Sequence, residues 1–266
     1  MAMVSFDYVL GVLVLCVILC VLAYWEKVLD LWGTILAFFI GAIIGIFGGI
    51  LWLVLLLFFL ITSFLATRYK YTIKTERGVQ EGKKGERHFK NVLANGFVPA
   101  FIALISYEDF HFIEHKWMAE VAFISAIAVA AADTVASELG VISDKTYLIT
   151  NPKKRVKPGT SGGISLLGEF WAILASTYTA VFAWVVLFFI PFTFFSTTDG
   201  FLNFPTPSNS YALVVIPLII GFVGCQIDSV LGATLEYKGW LTNEGVNIAA
   251  TSLGGLLAWM MIPILV

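Results

Sequence analysis

The 266-residue chain is 59% hydrophobic and 13% charged, with a mean hydropathy of +0.90. That is more apolar surface than one soluble core can bury, and it falls in runs of membrane-spanning length, so the composition excludes a water-soluble globular enzyme and points to a polytopic helical membrane protein. The formal net charge of −2 says little by itself, and no nucleic-acid partner is expected.

In chain order, Tyr8 to Tyr24 is the first predicted span, followed by a polar break at Glu26, Lys27 and Asp30. The segment lacks a basic n-region and a small-residue cleavage site, so no cleaved signal peptide is expected. Leu31 to Thr67 is too long for one helix crossing ~30 Å of hydrocarbon at ~1.5 Å per residue, and Gly48-Gly49 divides it into two short spans. The loop Arg68 to Asn95 carries eight of the 16 basic residues, and Glu86 to Asn95 is predicted as an amphipathic interfacial helix. Phe97 to Tyr107 is a short span interrupted by Pro99. An acidic, histidine-containing turn follows from Glu108 to Lys116, where His111, Glu114 and His115 read as an exposed turn rather than a metal site. Span five is Trp117 to about Gly140, span six Leu166 to Phe195, span seven Tyr211 to Leu235 and span eight Asn247 to Val266. The expected architecture is an all-α transmembrane bundle forming one domain over 1–266, with N-terminal helices over 1–67 and a catalytic core over 68–266.

With eight spans, fifteen of the 16 Lys and Arg fall on one side and only Lys116 on the other. The positive-inside rule makes that side the cytoplasm, puts both termini outside, and predicts a multi-pass protein of the cell membrane. For most of Arg68 to Lys90, setting the topology accounts for the charges.

The same count gathers the polar residues of the spans at the cytoplasmic end. Asn91 and Asn95 precede span four, Asp133 to Glu138 end span five, Asp228 and Ser229 end span seven, and Asn243, Asn247 and Thr251 begin span eight. Asp133, Ser137 and Gly140 share one row of span five, with Thr134 and Glu138 in the next. Gly221, Gly224, Asp228 and Gly232 share a face of span seven, which allows close packing around one acid. Carboxylates in membrane helices cost ~2.5 to 3.5 kcal/mol each, and a divalent cation would compensate two Asp and a Glu at one depth. Mg²⁺, which takes one or two carboxylates plus water and phosphate oxygens, suits Asp133 and Asp228, with Glu138 as the third carboxylate of the catalytic set. The loop between spans five and six holds Lys153, Lys154, Arg155 and Lys157, then Thr160, Ser161, Gly162 and Gly163, and opens span six. Cations, a glycine turn and a helix N-terminus in sequence suggest a phosphate site. Cys16, Cys20 and Cys225 lie inside spans and are expected as free thiols.

Five pieces carry a resemblance: KNVLANG (Lys90 to Gly96), ADTVASELG (Ala132 to Gly140), NPKKRVKPGTSGG (Asn151 to Gly163), DSVLGATLE (Asp228 to Glu236) and TNEGVN (Thr242 to Asn247). In this order they resemble the integral membrane family that contains the plant phytyl-phosphate kinase of tocopherol synthesis. More distantly the chain is similar to CTP-using membrane enzymes, namely CDP-diacylglycerol synthase and the dolichol and phytol kinases. The resemblance implies a cytidine nucleotide and Mg²⁺, and a kinase that converts a prenyl monophosphate to the diphosphate at the cytoplasmic face. In that reading Asp133 and Asp228 hold the metal, Lys153, Lys154, Arg155 and Lys157 meet the phosphates, and Thr160 to Gly163 cradle them. Asn91, Asn95, Ser137, Asn243 and Asn247 orient the acceptor or nucleotide. The partners expected are a prenyl-phosphate lipid and CTP or another nucleoside triphosphate, with the oligomeric state left open. Two other outcomes are weighed: a cytidylyltransferase making a CDP-lipid, which the thin basic cluster after Asp228 disfavours, and an anionic-lipid transporter, which the absence of inverted repeats disfavours.

Overall fold

The structure is a computed structural model that describes residues 5–82, 84–107, 116–189 and 211–265. The expected turn at 108–116 and link at 196–210 fall almost entirely outside these residues. The helices are α1 (Phe6–Trp25), α2 (Leu31–Ile43, continued by a π turn to Gly48), α3 (Ile50–Arg68), the short α4 (Tyr71–Glu76), α5 (Phe89–Ile105), α6 (Lys116–Gly140), α7 (Leu166–Trp184, continued to Phe189), α8 (Ala212–Leu231, continued by a π turn, Gly232–Glu236) and α9 (Asn243–Leu265). Among the described residues seven helices are long and apolar enough to cross a membrane, and the apolar α5 is shorter. The predicted division of 31–67 is found where expected: Gly49, at φ +107°, a conformation open to glycine, separates α2 from α3.

Helix α6 is the centre of the bundle, with 83% of its most apolar stretch buried against 11% for α1. Its Ala-rich sequence leaves little side chain to keep neighbours away, and α3, α5, α7, α8 and α9 all pack on it. Glycines bring two of these close: a Cβ on Gly224 would stand 2.3 Å from Val129 Cγ2, and one on Gly254 2.6 Å from the same atom. Trp52 of α3 stacks on Phe123 of α6 with centroids 4.2 Å apart, anchoring the N-terminal helices to the core.

Two features differ from the sequence reading. Residues Phe89–Asn95 are the first turns of α5 rather than a separate interfacial helix, so Asn91 and Asn95 sit inside the bundle end. The loop after α6 folds into a small antiparallel sheet, β1 (Thr146–Leu148), β2 (Asn151–Val156) and β3 (Gly163–Ile164), in the order β2-β1-β3. These strands are too short, and β2 too exposed, to show the alternation by which strands are read.

The basic segment 68–88 is also tied to the core. Arg77 donates to the carbonyls of Val141 (2.9 Å) and Ser143 (3.1 Å) and pairs with Asp144 at 2.6 Å. Arg87 is held through its backbone: its N–H donates to Val28 O (2.9 Å), and its carbonyl accepts from Asp30 N (3.1 Å). The α1–α2 turn, capped by Asp30 accepting from Gly33 N at 2.6 Å, thereby fixes Arg87 at the polar end of the bundle. His88 Nδ1 lies 2.8 Å from Asp30 Oδ2 on the outer side of that turn.

Candidate functional site

The ends of α5, α6, α8 and α9, the glycine turn and the 81–87 segment enclose a cavity of about 230 Å³. Among its lining residues are Asn91, Asn95, Asp133, Ser137, Glu138, Thr160, Ser161, Gly162, Gly163, Asp228, Asn243 and Asn247, all expected from the sequence. Lys153, Lys154, Arg155 and Lys157 are absent from the lining. They stand exposed on or just after β2, and Arg155 Nη2 donates to Asp144 O at 2.7 Å.

The carboxyl groups of Asp133 and Asp228 lie within hydrogen-bonding reach of each other, with Glu236 beside them. With its amide nitrogen turned to donate, Asn247 reaches Asp228 Oδ2 at 3.1 Å and the Asn243 carbonyl at 3.1 Å. Two carboxylates this close repel, and a divalent cation between them removes the repulsion. Among the described residues no three or more His, Cys, Asp or Glu side chains are arranged to hold a metal by themselves. Two carboxyl groups facing one cavity are the kind of donor set that Mg²⁺ takes when water and phosphate oxygens complete its shell.

Glu138 is placed differently from the two Asp. Its carboxylate pairs with Lys74 Nζ at 2.6 Å and accepts from Thr67 Oγ1 at 3.0 Å. Lys74 is fully buried and also donates to Ala66 O (2.7 Å) and Thr67 O (3.0 Å). Burial draws the Lys74 ammonium below the ordinary lysine value, and Glu138 pulls it back up. Glu138 thus belongs to a buried ion pair that pins α4 to the end of α6.

Arg87, Glu81 and Glu236 line the cavity but carried no site assignment from the sequence. Arg87 is 5% exposed, donates from Nη2 to Thr67 Oγ1 at 3.2 Å, and keeps its Nε without a partner among the described residues. Burial lowers its pKa, and Glu138, Glu81 and Asp133 oppose that shift by their charge, so the site holds a guanidinium facing several acids. Glu81 is pushed up by burial, opposed by Arg87 and by a hydrogen bond from Asn91. Glu236 accepts a hydrogen bond from the Ser161 hydroxyl. Eight residues after Asp228, it would stand about 80° round an unbroken α-helix; the π turn over 232–236 delays the phase by about one residue and brings it closer in line with Asp228.

The glycine turn is pressed onto α8. Gly162 has φ +71°, and a Cβ there would stand 2.4 Å from Ala233 Cβ and 2.6 Å from Ser229 O. Thr146 Oγ1 and Asn95 Oδ1 are buried cavity-side atoms without partners among the described residues. The N-terminus of α7 is less open to an anion than its place after the turn suggested. Ser165 caps it by accepting from Gly168 N at 3.1 Å, and β3 intervenes between the turn and the helix. Cys16, Cys20 and Cys225 are free thiols, as expected, and Cys225 lines the cavity.

Residues 14–255 match the family described as Integral membrane protein DUF92. An uncharacterized membrane protein of Methanocaldococcus jannaschii is 32% identical over 243 residues, 90% of each chain. Protein VTE6, chloroplastic, of Arabidopsis thaliana is 29% identical over 232 residues, 86% of this chain and 64% of that protein. Protein PGR of the same plant is 31% identical, covering 82% of this chain and 75% of its own. These relatives bear out the family resemblance drawn from the motifs. No solved structure matches.

Proposed function

The chain belongs to the DUF92 family of integral membrane proteins, and from that premise we propose that it is a Mg²⁺-dependent kinase that phosphorylates a prenyl monophosphate to the diphosphate, with CTP as donor, at the cytoplasmic membrane face. The observation that carries this reading is the meeting, in one cavity at one end of the bundle, of a buried guanidinium, a close pair of carboxyls and a glycine turn. The substrate class and the choice of CTP rest on the resemblance of residues 90–247 to the phytyl-phosphate kinase family.

Asp133 and Asp228 would hold a Mg²⁺ ion, which would supply neutralisation of the charge that develops on the phosphates. The protein's own residues do the positioning. Arg87, with an Nε–H free to donate, holds the acceptor phosphate, while Asn91 and Asn95 orient it. Thr160 to Gly163 face the donor phosphates, and Asn243, Asn247 and Ser137 line the remaining wall. An oxygen of the acceptor phosphate attacks the terminal phosphorus, the bond to the bridging oxygen breaks, and the nucleoside diphosphate leaves. The acceptor is already an anion, so no general base is required, and Glu138 in its pair with Lys74 supports the site instead of moving a proton.

The test is to supply purified protein with a series of prenyl monophosphates and each nucleoside triphosphate and to identify products by mass. A prenyl diphosphate formed with CTP in preference to other donors is the expected result. A CDP-lipid with pyrophosphate would replace phosphoryl by cytidylyl transfer, and movement of a phosphorylated lipid without nucleotide use would make the protein a transporter.

A further inference from the structure

Beside the polar cavity lies a second, smaller one of about 60 Å³ between α2, α3 and α5. Its walls include Ala37 and Ile40 of α2, Leu56, Phe59 and Leu60 of α3, and Val92 of α5. The polar residues on it are Arg87, Asn91 and Asn95, which also line the polar cavity. The two spaces therefore meet at these three side chains. Two of the three carry buried polar atoms without partners among the described residues, Arg87 Nε and Asn95 Oδ1. The groove exists because α5 lies close against α2 at Gly96, where a Cβ would come within 2.7 Å of Ile40 Cδ1. Ala37, Leu56, Leu60 and Val92 are only partly buried, so the groove reaches the outer, apolar surface of the helices.

We propose that this groove receives the head-proximal part of the acceptor's hydrocarbon tail, with its phosphate on Arg87 and the rest of the chain running out along α2 and α3 into the bilayer. The proposal rests on the kinase reading only in taking the acceptor to be a lipid phosphate. An amphiphile of that kind needs an anion site and an apolar site joined without a gap, because burying either end in the wrong surroundings costs free energy. The junction at Arg87 supplies that continuity. It also gives the N-terminal helices a role in binding: α2 and α3 form the apolar wall, and the α1–α2 turn fixes the cation at its head.

The experiment uses the full chain in lipid nanodiscs with a prenyl monophosphate bearing a photoreactive diazirine near the head end of its tail. Labelled peptides are mapped by mass spectrometry. Label is expected on 31–68, centred on Leu56 to Leu60, competed by excess unlabelled prenyl phosphate and much less by the prenol that lacks the phosphate. Ala37→Phe, which fills the groove, is expected to cut that label several-fold and to raise the KM of a long-chain acceptor more than that of a short-chain one. Label confined to α7–α9, or label that excess prenyl phosphate does not displace, overturns the proposal; the wild-type map decides this even if Ala37→Phe fails to fold. Competed label on α2 and α3 without turnover by any nucleotide sustains the tail site and sinks the kinase. Turnover with label elsewhere does the reverse.

Discussion

The polar end of this protein carries two cationic regions that contrast in every physical respect. Lys153, Lys154, Arg155 and Lys157 stand within five residues and are exposed on or just after a strand of a small sheet, whereas Arg87 and Lys74, spaced among the eight cations of 68–90, are buried, Lys74 paired with Glu138 and Arg87 donating to Thr67. The difference teaches that charge density along a chain reports where water is, while a charge that can act on a ligand is one the fold has desolvated and held. A cation in water is screened within about a Debye length; one in a low-dielectric cavity is not.

The sharpest break in the contrast comes from the acids on the buried side. Asp133→Asn and Asp228→Asn are each expected to lower turnover roughly a hundredfold or more while leaving a folded protein, because each deletes charge from the metal-binding pair. Near-normal activity of either variant, measured beside its melting temperature, would remove that residue from the site. Lys74→Met should act on folding instead. It leaves Glu138 buried without its partner, a loss of about 3 to 5 kcal/mol, and Lys74→Met with Glu138→Gln should recover most of the melting temperature. Loss of turnover in Glu138→Gln at an unchanged melting temperature would return Glu138 to the chemistry.

The two cationic regions can then be compared directly. Arg87→Gln is expected to raise the acceptor KM roughly tenfold or more through loss of about 1.5 to 3 kcal/mol of charge-assisted hydrogen bonding. Lys153→Gln with Lys154→Gln is expected to raise the nucleotide KM a few-fold at most, and the effect should fade as salt is added. An unscreened loss from the lysine pair as large as that from Arg87 would mean the sheet closes over the cavity during turnover. The smallest effect concerns Glu81. Its folded pKa is raised by burial, so its contribution to stability is present below the ordinary carboxylate pKa and is lost as pH rises through the shifted value. Glu81→Gln should therefore melt slightly higher than the parent above that range and no higher below it.

The helical framework was legible because apolar runs of spanning length leave few alternatives, and the break at Gly48-Gly49 was legible because two glycines interrupt a run too long for one crossing. The rows of Asp133, Ser137 and Glu138 on α6, and of Gly221, Gly224 and Asp228 on α8, follow from helical spacing and converge as read. Arg87 was not legible, since it is one of eight basic residues in its loop and what places it is the bridge to Leu29, some sixty residues earlier in the chain. Glu236 was hidden by the π turn, which shifts helical phase without a distinctive composition. The only sequence signal for it was its place at the end of the DSVLGATLE run.

The measurement closest to the central claim follows the terminal phosphate. Purified protein in nanodiscs is given γ-labelled CTP and a prenyl monophosphate, with Mg²⁺ present or chelated, and the lipid fraction is counted for the wild type, Asp133→Asn and Arg87→Gln. The expected result is label in a prenyl diphosphate, lost on chelation and in the Asp133 variant, and restored in the Arg87 variant only at raised acceptor concentration. Label found only in pyrophosphate, with cytidine on the lipid, or no label in either fraction, would contradict it.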